Sequence, residues 1–63
     1  MTDIKIGQRY HIREWDDSLD VVEVIDRPFD QFGNGRDVLM RYPDGVAHRV
    51  TERYFRSLVT ELN

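Results

Sequence analysis

The chain has no cysteine, two prolines, one tryptophan and a single lysine in 63 residues. Without cysteine there is no disulfide, no thiolate zinc site and no thiol nucleophile. Its absence also fits a reducing, cytoplasmic setting. Ser18 and Ser57 are the only serines, and neither sits in a Gly-x-Ser-x-Gly elbow. No apolar run approaches the roughly 20 residues that span a bilayer. Met1 to Lys5 lacks the charged-then-apolar layout of a secretory signal, so no membrane association is expected.

What is present bounds the rest. The length allows one domain, 1–63. So small a domain hides a modest share of its unfolded surface and has neither a disulfide nor a thiolate metal site to help it. Its core must come from aliphatic and aromatic residues, and a hydrophobic fraction of 40% makes that feasible.

Charge is unevenly placed. Between Glu14 and Asp30, seven carboxylates (Glu14, Asp16, Asp17, Asp20, Glu23, Asp26, Asp30) face Arg27 alone, a net charge of −6. From Val38 onward, Arg41, Arg49, Arg53 and Arg56 outnumber Asp44, Glu52 and Glu61, for +1. Such polarity favours an oriented encounter with a basic partner.

Turn signals recur every 8–12 residues or so, the rhythm of a small all-β domain. Gln8 to Glu14 reads as a first strand with Tyr10 and Ile12 on one face. Trp15 to Leu19 reads as an acidic loop. Asp20 to Asp26 is a second strand with Val22 and Val24 inward, and Pro28 ends it or puts it at an edge. Asp30 to Arg36, with Gly33, Asn34 and Gly35, reads as a flexible loop. It lacks the lysine and following helix of a phosphate-binding loop.

Tyr42-Pro43-Asp44-Gly45 is the sharpest local signal. Pro43 presets φ, and Gly45 supplies the left-handed residue of a type I turn with a bulge. This register pairs Tyr42 with Val46, Met40 with His48 and Val38 with Val50, all on one face. Leu39, Arg41, Ala47 and Arg49 take the other. In the C-terminal segment, Val50, Tyr54, Phe55, Leu58 and Leu62 follow helical spacing, whereas Leu58, Thr60 and Leu62 also alternate as a strand. The expectation is a helical turn from Thr51 to Arg56 and then a short strand, with one helix to Leu62 as the alternative. The predicted core is Tyr10, Ile12, Val22, Val24, Val38, Met40, Tyr42, Val46, Val50, Phe55 and Leu58.

This order of elements resembles an SH3-like barrel. The resemblance rests on Gly7-Gln8-Arg9-Tyr10, the strand from Asp20 to Ile25, the turn from Tyr42 to Gly45, and Val50 through Leu58. It implies a mostly β, five-stranded barrel with one short helical turn near the C-terminus. Glu14-Trp15-Asp16-Asp17 occupies a place similar to the acidic loop of signalling SH3 domains, but their paired tryptophan is missing. The chain looks more like small stand-alone SH3-like proteins of bacteria and phages, which implies binding without chemistry.

The candidate partner site is Glu14, Trp15, Asp16, Asp17 and Asp20, with Phe29 and Phe32 at its edge. Carboxylates steer a cationic partner and aromatic rings hold it. The expected partner is another protein with a basic surface. A sharper form of this expectation is a phage-type acidic inhibitor that blocks a nucleic-acid-binding site. The alternative is nucleic-acid binding through Arg41, Arg49, Arg53 and Arg56. His11 and His48 fall on opposite faces, which predicts no shared metal, and no cofactor or enzymatic role is expected. A monomer or weak homodimer fits so small a core.

Overall fold

The fold is that of a computed structural model describing residues 3–59. Four strands, β1 (Arg9–Arg13), β2 (Leu19–Asp26), β3 (Val38–Arg41) and β4 (Ala47–Val50), precede one helix, α1 (Glu52–Leu58). The strands form one antiparallel sheet in the order β1-β2-β3-β4. Tyr10 lies opposite Val22, and Val24 opposite Met40, so the apolar members of each strand share a face. One residue is gained by β2 between Val24 and Asp26, a bulge that bends the sheet.

The β3–β4 hairpin has the register its turn predicts. Val38 pairs with Val50 and Met40 with His48, and the Tyr42 N–H donates to the Val46 carbonyl at 2.9 Å. Gly45 sits at φ +91°, the left-handed conformation this turn requires.

Thr51 caps α1, its hydroxyl accepting from the Tyr54 N–H at 3.1 Å. The helix lays Phe55 and Leu58 on the apolar face of the sheet. Phe55 is fully buried and meets the Tyr10 ring edge-on at 5.3 Å. The buried core is Ile4, Tyr10, Ile12, Val22, Val24, Val38, Met40, Phe55 and Leu58.

Several expectations are corrected. Tyr42 and Val50 are only half-buried, Val46 is 49% exposed, and His48 is exposed with its ring edge against Tyr42. The inward row of the hairpin runs past the area that α1 covers, so its turn end faces water. Of the two readings of Pro28, the strand end holds and the edge does not: β2 stops at Asp26, two residues before it, and lies between β1 and β3, with β1 and β4 as the edges. The helix extends two residues beyond Arg56, to Leu58. A fifth strand is not seen among the described residues. Val59 makes an isolated antiparallel bridge to Ile12, and residues 60–62 of the expected strand lie outside the described residues.

Ile4 joins the core because Arg27 holds the chain there. The Arg27 side chain, 12% exposed, donates to the carbonyls of Ile4 (3.1 Å), Arg36 (3.3 Å) and Asp37 (2.8 Å), and pairs with Glu52 of α1. One guanidinium thus fastens the N-terminal segment, the β2–β3 loop and the helix. Glu52 also takes Arg56 at 3.3 Å. The hydrogen bond from Arg27, with help from Arg56, holds the Glu52 carboxyl below the usual glutamate range against the opposing effect of desolvation.

Candidate functional site

Glu14 to Ser18 forms the β1–β2 turn. The Glu14 N–H donates to the Ser18 carbonyl at 2.9 Å, and the Asp17 N–H to the Glu14 carbonyl at 2.9 Å. These are the bonds made in the β3–β4 turn, where Tyr42 pairs with Val46 and Gly45 donates back to Tyr42 at 2.9 Å. The likeness extends to side chains. Asp16 Oδ1 accepts from the Ser18 N–H at 3.1 Å, as Asp44 Oδ1 accepts from the Val46 N–H at 2.9 Å. Trp15 stands where the other turn has Pro43, and Asp17 where it has Gly45. Asp17 takes the left-handed conformation, φ +67°, that glycine takes more cheaply.

Both turns lie at one end of the sheet. The Tyr42 hydroxyl donates to the Glu14 carboxylate and ties them together. Burial, and then the Glu14 carboxylate, push the Tyr42 phenol well above its usual range. Asp20 follows on the inward row opposite Ile12 and is half-buried. Asp16 is drawn below the ordinary aspartate range by the Ser18 hydroxyl and N–H. Asp17 has Arg13 at 3.9 Å in the open. Trp15 is 89% exposed.

The end therefore unites Glu14, Trp15, Asp16, Asp17 and Asp20 and adds Asp44. Phe29 and Phe32 are not at its edge. Strand β2 carries the chain to the opposite end of the sheet, roughly 20 Å away at strand rise, before either occurs. Phe29 closes a loop by bridging Arg36, and Phe32 lies within that loop. Within it, Asp30 Oδ1 accepts from the N–H groups of Phe32 (3.0 Å) and Asn34 (3.1 Å), so the supposedly flexible loop is internally bonded.

Three of the four arginines are ion-paired, and Arg41 and Arg49 share the outer face of the β3–β4 hairpin. Arg41 pairs with Glu23 at 2.9 Å, Arg49 with Asp37 at 2.9 Å, and Arg56 with Glu52. Of the four, only Arg53 makes no ion pair among the described residues. His11 and His48 lie on opposite faces, and no group of three or more potential metal ligands occurs among the described residues. No described helix is long and apolar enough to cross a membrane.

Sequence reasoning missed the kinship of the two turns and the part played by Arg27. The first had a signal: Asp16 stands two residues before its partner, as Asp44 does, but no glycine marks the left-handed position. The second had none.

No family model, no curated protein and no solved structure matches this chain.

Proposed function

We propose that this chain is a protein-binding module that engages a basic surface through the Glu14–Ser18 turn. One observation carries the reading. Two turns share a backbone, yet one is written Pro-Asp-Gly and the other Trp-Asp-Asp. Pro43 and Gly45 suit the turn itself. Trp15 does not, and Asp17 tolerates its left-handed place less well than glycine; together they put an exposed indole among carboxylates at a small backbone cost. An indole ring beside carboxylates suits an arginine or lysine side chain, through ring contact and charge together. The carboxylates speed the encounter, and desolvation of the indole slows release.

The same reading takes the sheet as an SH3-like barrel of the small bacterial or phage type, acting in the cytoplasm by binding and not by catalysis. The Ile12–Val59 bridge supports it, because it returns the chain from α1 to β1. Against nucleic acid as the partner stand the ion pairs of Arg41, Arg49 and Arg56 and the net charge of −3.

The test titrates an arginine-rich peptide against the protein while following Trp15, the only indole. Binding is expected at low salt and is expected to weaken as salt rises. The Asp16→Asn/Asp17→Asn variant keeps the turn, since asparagine tolerates the left-handed conformation and can accept the Ser18 bond. It should bind about tenfold or more weakly, a loss of at least ~1.4 kcal/mol. Wild-type affinity in that variant removes the site.

A further inference from the structure

The end of the sheet opposite the acidic turn carries its own unused surface. An open groove of about 790 Å³ runs between the β2–β3 loop and the start of α1, bordered by Phe32, Arg36, Asp37, Arg49, Val50 and Arg53. Phe29 and Phe32 are 62% and 75% exposed, and the Arg36 guanidinium lies 4.1 Å from the centre of the Phe29 ring.

The groove's lining balances Arg36, Arg49 and Arg53 against Asp30, Asp37 and Glu52, and Arg27 and Arg56, both paired with Glu52, tip the region to five arginines against three acids. Each acid is already engaged: Asp30 by backbone N–H groups, Asp37 by Arg49, and Glu52 by Arg27 and Arg56. Arg36 and Arg53 make no ion pair among the described residues. What remains for a ligand is the Arg53 guanidinium, the part of the Arg36 guanidinium not bonded to the Arg27 carbonyl, and the exposed Phe32 ring, a combination that receives a carboxylate-bearing aromatic segment. The Glu14–Ser18 turn is such a segment.

We propose that this groove takes the Trp15 turn of a second copy of the chain, joining copies head to tail. The two surfaces are complementary in charge, and both offer exposed aromatic rings. They lie at opposite ends of one molecule, so neither can satisfy its own partner. A contact of this kind is heterologous: it closes as a ring or continues as a chain, and it does not pair like with like. The inference rests on the turn being a binding surface, as proposed above, and names a partner for it. The contact is small beside the roughly 800 Å² per partner of a stable complex, so association is expected at about 0.1–1 mM.

Two variants test this. One, Trp15→Ala/Asp16→Asn/Asp17→Asn, removes the turn's offer and has no indole. The other, Arg36→Glu/Arg53→Glu, removes the groove's offer and keeps Trp15. Circular dichroism checks that both fold, and Phe32→Ala alone serves as a groove variant that changes no charge.

Sedimentation of the wild type should show mass rising with concentration, with Trp15 emission moving to the blue in parallel, and salt should reverse both. Each variant alone should stay monomeric. Mixed, they should form a one-to-one dimer with the blue shift restored, because one intact turn meets one intact groove.

A wild type that stays monomeric throughout overturns the proposal, as does mass that rises while Trp15 emission stays fixed. Self-association that persists in both groove variants also overturns it. A monomer retarded by a single-stranded oligonucleotide would assign the groove to nucleic acid instead. If the arginine-rich peptide still binds a monomeric wild type, head-to-tail assembly falls and the turn's role stands. If neither partner binds, both fall.

Discussion

The two hairpin turns at one end of the sheet have the same hydrogen bonds and opposite chemistry. In Tyr42-Pro43-Asp44-Gly45-Val46, every central residue favours the turn: a fixed φ, a carboxylate capping Val46, and a glycine at φ +91°. In Glu14-Trp15-Asp16-Asp17-Ser18, only Asp16 does. The first turn is made of residues suited to their own positions, with Tyr42 reaching across to Glu14. The second accepts strain at Asp17 and exposes Trp15, which suits a surface meant for contact. Where two pieces of chain have the same shape, residues that do not serve the shape are the ones to ask about function.

The comparison can be broken at several points. The largest effect is expected away from both turns. Arg27→Ala should cost about 3 kcal/mol in denaturant unfolding, because it frees three carbonyls and the Glu52 carboxylate at once. A cost below ~1 kcal/mol would mean Arg27 is no clamp.

Gly45→Asp imitates Asp17 in the sister turn. An added Cβ meets nothing within 4 Å, so the cost is that of the φ angle alone, about 1 kcal/mol, read as a lowered unfolding midpoint. The reverse graft, Trp15→Pro/Asp17→Gly, should raise stability by about 1 kcal/mol while abolishing binding of the arginine-rich peptide. A graft that destabilises the hairpin would show that the two turns are not equivalent.

The smallest effect is on pH dependence. The folded-state pKa of Glu52 is depressed, so its contribution is present above the unfolded glutamate range and is lost as pH falls through the folded value. Wild type should therefore lose more stability than Glu52→Gln on acidification below about pH 4. Parallel acid curves for the two proteins would discount the Arg27–Glu52 pair.

How much could be read beforehand depended on the range of the forces involved. The register from Val38 to Val50 was legible because a proline and a glycine two positions apart set it locally. The inward alternation of Tyr10, Ile12, Val22 and Val24 was legible for the same reason. Ile4 was not, because its burial depends on Arg27, 23 positions away. Val46 and His48 alternate as core residues do, yet the helix that would cover them stops short. The acidic turn was legible as a charge cluster with a tryptophan. Phe29 and Phe32 were wrongly joined to it because nearness in sequence hid an eight-residue strand in between.

The sequence by itself determined a small β-rich chain without cysteine chemistry, with one firmly registered hairpin and an acidic stretch holding its only indole. These follow from composition, strand alternation and turn residues, all of them local. Tertiary structure alone decided that the two turns match, that Arg27 ties the N-terminal segment to α1, and that the acidic turn and the arginine–phenylalanine groove stand at opposite ends. Each of those depends on packing between residues far apart in the chain, where side-chain reach and burial, and not local preference, set the outcome.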